Sequence, residues 1–297
     1  MNEAFRLKGV RKDYGDFRLR ISDLALERGY VMGLVGRNGA GKSTTIKILM
    51  NLVYPDGGDV RVLGLRQPRD EMEIKRRVGY VSEEPVFYGD MTVAWMARLV
   101  RGYYPTWDDG LFRAYLRKFA IDPYKKVKEL SRGTKVKLAL TLALSHRPEL
   151  LILDEPTSGV DPVVRHEILE EIGEIIRDEG RTVLLSSHIT QDIERVADYV
   201  AIIERGEVVD FSDKESILDR WKKVSGTLPV DGCGTLDELA PMFTQFRREG
   251  AAFVGVTGSF CPDWLDALRG RGASDLRVAS LGLDEILVLL SDREGQA

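Results

Sequence analysis

The sequence predicts an α/β fold built on a parallel sheet and followed by a small α+β appendage. Three observations carry this. The unbroken aliphatic runs Leu150-Leu151-Ile152-Leu153 and Thr182-Val183-Leu184-Leu185 read as strands buried on both faces. A helical pattern from roughly Val163 to Glu179 joins them into a βαβ unit. Past about Ser212 the pattern turns to short mixed elements punctuated by Gly226, Gly232, Gly234, Gly250, Gly258, Gly270 and Gly272.

In chain order, Phe17, Leu19 and Ile21 alternate with polar residues as a strand does, and Tyr30 to Val35 forms an apolar strand. A glycine-rich turn follows, and Ser43 to Met50 reads as a helix. Arg77 to Val81 reads as another strand. From about Thr92 to Arg147 the periodicity is helical, with Trp95, Leu99, Leu111, Leu116 and Phe119 expected to face inward. Tyr199 to Ile203 and Glu207 to Asp210 flank Arg205-Gly206 as a hairpin would. Near the end, Leu283, Ile286, Leu287 and Leu290 share one face of an amphipathic helix.

A chain of 297 residues suffices for one large domain or two modest ones. The net charge of −4 gives no electrostatic case for nucleic acid as partner, and none is expected. Cys233 and Cys261 are isolated, without metal-ligand spacing, so a reducing setting is expected. The start, Met1 to Arg6, lacks the basic and apolar segments of a secretory signal. No apolar run reaches about 18 residues, so any role at a membrane is expected to go through a partner.

The run Gly36-Arg37-Asn38-Gly39-Ala40-Gly41-Lys42-Ser43-Thr44 matches the phosphate-loop pattern, two glycines followed by Lys and Ser/Thr. Glycines let backbone N–H groups turn around phosphate oxygens, and the next helix offers its positive end. Lys42 is expected on the β- and γ-phosphates of ATP and the Ser43 hydroxyl on Mg²⁺. The alternative, a flexible glycine turn, does not explain why strand, loop and helix stand in this order. The second element is Leu150 to Pro156, a buried strand ending in two carboxylates. Asp154 is suited to hold Mg²⁺ and Glu155 to serve as general base toward water. Taken alone, that strand end could equally cap a helix or turn.

Together with Leu130-Ser131-Arg132-Gly133-Thr134-Lys135, these motifs make residues from about Phe5 to Asp213 resemble the nucleotide-binding subunit of an ABC transporter, of exporter type. The resemblance implies a phosphate-loop ATPase of ABC type with an antiparallel β subdomain, an inserted helical subdomain at about 88–147, and an accessory C-terminal part. The boundaries expected are 1–212 and 213–297. It also implies ATP and Mg²⁺ as ligands. Ser131 and Gly133 would face the γ-phosphate bound by a second ATPase subunit, in a homodimer or heterodimer; without the other motifs Ser131 reads as an ordinary serine N-cap. Tyr14 matches the adenine-stacking aromatic, although an aromatic on an early strand is more often core. Asp161 matches the loop crossing the dimer interface, and otherwise reads as a turn aspartate. His188 matches the histidine on the γ-phosphate, although a lone histidine after a strand is more often structural; His146 and His166 match nothing and read as structural.

The sequence departs from the family pattern at Glu83, where glutamine is usual and where a metal-coordinating role is retained as an expectation. It departs again at Arg132 and Thr134 within the signature. The resemblance further implies an integral membrane permease as partner, holding the chain on the cytoplasmic face of the membrane. Pro85 to Trp107, with Phe87, Tyr88, Tyr103, Tyr104 and Trp107, is the expected docking region, although most of these aromatics are expected in the subdomain core and only two or three exposed to dock. A soluble ABC-type ATPase acting on ribosomes or DNA is a competing reading, disfavoured by a single phosphate loop and the lack of heptads. A nucleotide-gated regulator is another, disfavoured by Glu155 and His188.

Overall fold

A computed structural model describes residues 2–179, 181–229 and 240–291. Gly232, Cys233 and Gly234 lie outside the described residues. The chain divides into two compact units, Met1–Phe211 and Ser212–Ala297.

The first unit runs β1 (Glu3–Asp13), β2 (Arg18–Glu27), β3 (Val31–Val35), α1 (Lys42–Leu49), β4 (Gly57–Val62), β5 (Leu65–Arg66), α2 (Glu71–Arg77) and β6 (Val78–Val81). It continues through α3 (Val93–Arg101), α4 (Asp109–Lys118), α5 (Arg132–Leu144), β7 (Leu150–Asp154), α6 (Pro162–Glu179) and β8 (Thr182–Ser187). Then come α7 (Thr190–Val196), β9 (Tyr199–Glu204) and β10 (Glu207–Asp213). Ten strands form one sheet in the order β5-β4-β1-β2-β10-β9-β3-β8-β7-β6. Strands β9, β3, β8, β7 and β6 pair in parallel, whereas β2, β1, β4 and β5 pair antiparallel.

Every residue of β3, β7 and β8 is buried, which is why those segments read as unbroken aliphatic runs. Each fully buried Val, Leu or Ile there contributes about 1.5–3 kcal/mol by leaving water. Register aligns the strand ends: Val35 stands opposite Ser187 and Asp154 opposite Ser186. The loops that follow β3, β7 and β8 therefore open at one edge of the sheet, where ligands bind in open α/β folds.

The expected strand at Arg77 begins one residue later, because Arg77 closes α2 with its basic last turn. In the helical insertion Leu116 and Phe119 are buried as expected, but Trp95, Leu99 and Leu111 are only half-buried. The inward positions are instead Val93, Met96, Ala97, Phe112 and Tyr115. Short helices of this kind are set by caps as much as by their apolar stripe. Thr92 accepts from the Trp95 N–H and Asp108 from the Leu111 N–H.

The second unit holds α8 (Lys214–Arg220), β11 (Lys222–Thr227), β12 (Gln245–Glu249), β13 (Ala252–Thr257), α9 (Asp263–Gly270), β14 (Ser274–Ser280) and α10 (Leu283–Ser291). Its strands form an antiparallel sheet in the order β12-β13-β11-β14. Val224, Phe243, Phe253 and Leu268 make its core, against which Trp264 and Phe246 pack. Leu283, Ile286 and Leu287 of α10 are buried, and Leu290 is half-buried. Among the described residues no helix is long and apolar enough to cross a membrane.

Candidate active site

The glycine loop joins β3 to α1. Gly39 and Gly41 take φ of 82° and 117°, conformations that a side chain strongly disfavours. The loop is pinned from outside by the Gly206 N–H, which donates to the Ala40 carbonyl at 2.8 Å. Arg37, Asn38 and Gly39 are exposed at its crest, while Lys42 is buried and Ser43 and Thr44 are half-buried. The Lys42 ammonium donates to the carbonyls of Gly36 at 2.7 Å and Arg37 at 3.2 Å. No acidic residue stands in the first turn of α1, so that helix end keeps its positive field.

The end of β7 meets this loop. Ser43 Oγ donates to Asp154 Oδ1 at 3.1 Å, and Ser186 Oγ donates to the same oxygen at 2.7 Å. Glu155 lies next, 4% exposed, with φ of 49°, a left-handed conformation that is rare outside glycine and typical of functional sites. Its backbone is held by Ser186, whose carbonyl and hydroxyl accept from the Glu155 N–H at 3.2 and 3.0 Å. Its side chain stands between two cations or donors. Lys42 Nζ lies 3.1 Å from Oε1, and His188 Nδ1 lies 2.7 Å from Oε2. The His188 N–H donates to Oε2 as well, at 3.2 Å. A carboxylate only accepts, so the proton of a neutral imidazole sits on Nδ1 and leaves Nε2 as the free acceptor.

Tyr80 on β6 completes the electrostatics. Burial, and then the Asp154 charge, push its phenol up to about 12, so it stays a neutral O–H group. Ser43 and Asp154 offer Mg²⁺ two hard oxygen donors, a set that fits an ion content to take its other ligands from water and phosphate. Among the described residues no three Asp, Glu, His or Cys side chains converge on a metal position. Glu83 is exposed and accepts from Ser158 Oγ at 3.3 Å.

The remaining expected residues are distributed around this cluster. Tyr14 is not a core aromatic, since it lies in the turn after β1 and is 51% exposed. Its ring is 6.4 Å from Phe17, and Phe17 lies against the glycine loop at Gly41. Ser131 caps α5, accepting from the Thr134 N–H at 3.2 Å, and it is exposed. Gly133 is buried against Val164 and Val160. Neither residue hydrogen-bonds the glycine loop of its own chain among the described residues. Asp161 accepts from the Val163 and Val164 N–H groups at 3.1 Å, capping α6 ahead of Pro162 at its first position. His146 is buried and stacked on Tyr104, and His166 is exposed beside Arg195. In the stretch from Pro85 to Trp107, Tyr88 and Tyr103 are exposed. Trp107 turns inward, its ring on Phe112 and its Nε1 donating to Asp109 at 2.9 Å.

Sequence reasoning passed over Ser186 and Tyr80. A hydroxyl inside the buried run Thr182–Ser187 was the available signal, because a buried polar group needs a partner.

Known proteins share this architecture. A family model described as ABC transporter matches residues 19–158. The chain is 32% identical over 309 residues to a Nod factor export ATP-binding protein I of Bradyrhizobium diazoefficiens, spanning 99% of this chain and 98% of that protein. It is 34% identical to the bacitracin transport ATP-binding protein BcrA of Bacillus licheniformis, over 75% of this chain and 72% of that one. A solved ATP-binding subunit of an ABC transporter superposes with a TM-score of 0.65 at 28% identity, covering 73% of this chain and 92% of its own. With its glycine loop, its aspartate–glutamate strand end and its near-complete alignment to such a relative, the chain belongs to the ABC transporter family, as an ATP-binding ATPase subunit.

Proposed function

We propose that two ATPase subunits close head to tail on two ATP molecules, and that hydrolysis reopens them to energise a membrane permease of an exporter. The observation that carries this reading is the Lys42–Glu155–His188 cluster, in which one buried carboxylate is held within 3.1 Å of the loop lysine and 2.7 Å of the imidazole. Lys42 lies between the loop and Glu155, so phosphate oxygens and base share one cation. Glu155 would take the proton of the attacking water, and His188 would present Nε2 to the γ-phosphate region. Mg²⁺, held by Ser43 and Asp154, would neutralise charge on the phosphates.

Tyr14, exposed beside the loop, offers a face for adenine stacking. Ser131, at the positive end of α5, offers a hydroxyl and N–H groups to the ATP held by the second subunit. Asp161 and Glu83 border that same interface in this reading. Tyr88 and Tyr103, rather than Trp107, form the face toward the permease, which places the chain on the cytoplasmic side of the membrane. Export is inferred from the likeness to the Nod factor export ATP-binding protein I.

The test is Glu155→Gln. Removing the base is expected to lower ATP turnover by at least about 100-fold while ATP binding persists. The variant accumulates as an ATP-dependent dimer on size-exclusion chromatography. Wild-type turnover in Glu155→Gln would overturn the assignment of the base.

A further inference from the structure

We infer that Asp192, with Thr157 and Arg165, is a positioning relay that sets the geometry of the Glu155–His188 pair; the inference rests on the reading of that pair above. The Asp192 carboxylate is 2% exposed. Thr157 Oγ1 donates to Oδ2 at 2.7 Å, and Arg165 Nε donates to Oδ1 at 2.7 Å, with Nη2 of the same guanidinium 2.6 Å from that oxygen as an ion pair. A buried carboxylate is tolerated only when it is paired and hydrogen-bonded, and here two hydrogen bonds and the Arg165 charge meet that demand.

The three residues come from three different elements. Thr157 lies two positions beyond Glu155 in the turn after β7. Arg165 lies in the first turn of α6. Asp192 lies on α7, four positions beyond His188. The carboxylate therefore ties the segment carrying the base to the segment carrying the imidazole. Glu155 needs such support, since its backbone stands at φ of 49° and nothing in its own chemistry favours that conformation. Ser186 holds the near end of the segment at the Glu155 N–H, and the Ser158 N–H closes the turn onto the Glu155 carbonyl at 3.0 Å. Thr157, itself 2% exposed, is the point where the far end is anchored. None of the relay residues bonds the glycine loop, so they act through Glu155 and His188.

Thr157→Val keeps the shape and deletes the donor; Thr157→Ser keeps the donor. The expected result is a kcat for ATP lower on the order of tenfold in Thr157→Val with an unchanged KM, and near wild-type kcat in Thr157→Ser. The imidazole NMR resonances of His188 in the nucleotide-free full chain are expected to move in Thr157→Val and to stay in Thr157→Ser. A merely structural threonine would lower the melting temperature and leave both readouts alone. If Thr157→Val does not fold, Asp192→Asn, which keeps an oxygen for Thr157 and drops the charge on Arg165, takes its place. A kcat within about twofold of wild type, or an unmoved His188 signal, overturns the relay. Glu155→Gln in the same assay separates the two ideas. Full turnover there removes the base assignment, and the His188 signal alone then decides the relay.

Discussion

The Arg132 guanidinium lies over Gly159: a methyl group built on that glycine would stand 2.6 Å from Nη1 and 2.8 Å from Cζ. The contact joins the first residue of α5 to the turn that precedes α6. Gly159 has φ of 63°, where a side chain costs about 1–2 kcal/mol before any clash. Gly159→Ala is therefore expected to lower the unfolding free energy by at least about 1 kcal/mol in urea titration. A variant as stable as the parent would show that the arginine moves aside freely and that the turn is unstrained.

Arg132 also forms no ion pair among the described residues, and it sits beside the exposed Ser131 cap. Its charge adds to the positive end of α5. Arg132→Gly, which removes the exposed charge, should leave monomer stability within about 0.5 kcal/mol, as exposed substitutions do. ATP-dependent dimerisation in the Glu155→Gln background should weaken and lose part of its salt dependence, because an exposed cation is screened by salt. Sedimentation at low and high salt measures both. An unchanged salt dependence would mean that Arg132 does not face nucleotide.

Ser186 serves two groups at once, donating to Asp154 and accepting from the Glu155 N–H. Ser186→Ala leaves Asp154 with Ser43 and leaves Glu155 with the residue 186 carbonyl. The expected loss is about 1–3 kcal/mol of stability, the cost of an unmet buried hydrogen bond. The Mg²⁺ concentration for half-maximal ATPase should rise several-fold, since Asp154 is then less firmly aimed. Equal Mg²⁺ dependence in both proteins would restrict Ser186 to a packing role.

The parallel half of the sheet and the phosphate loop were legible because their signals are local. Strands β7 and β8 are buried on both faces, and the spacing of Gly36, Gly41 and Lys42 is fixed by backbone geometry. Legibility fell where the controlling partner is distant in sequence. Asp192 looks like any helical acid until Thr157, 35 positions earlier, is seen to donate to it. Trp107 reads as a docking aromatic until Asp109 takes its N–H, and the core alternative for Tyr14 falls only where the turn after β1 lifts it into solvent. Arg77 was read as strand because β6 begins at the very next residue.

His146 gives the chain an acid-sensitive point outside the active site. Burial lowers its imidazole from 6.5 to about 4, and Nδ1 has no hydrogen-bond partner. The folded state thus favours the neutral ring. Above pH 6.5 the ring is neutral in both states and stability is unaffected. As pH falls from 6.5 toward 4 the unfolded chain takes up the proton first, and stability is lost at about 1.4 kcal/mol per pH unit. His146→Phe keeps a ring on Tyr104 and removes the titration. Between pH 6.5 and 5 it should lose about 2 kcal/mol less than the parent in urea titration. Parallel losses in the two proteins would show that the parent's histidine is already charged in the fold.

Gly133 belongs to the signature segment, and its packing separates two roles that sequence alone merges. A methyl group there would stand 2.8 Å from Val164 Cγ1 and 3.4 Å from Val160 Cγ1. The glycine therefore lets the start of α5 approach the start of α6 whatever its backbone does toward a nucleotide. Gly133→Ala is expected to cost about 1–3 kcal/mol, the usual range for overpacking. Val164→Ala vacates the space that the new methyl needs, so the double variant should regain most of that loss, with a coupling of about 1 kcal/mol or more. ATPase then discriminates. If activity returns with stability in Gly133→Ala/Val164→Ala, the glycine acts through packing. If stability returns and ATP-dependent dimerisation does not, the methyl blocks the face that meets the second subunit's ATP. That second outcome is expected, because Ser131 is exposed on the same helical turn.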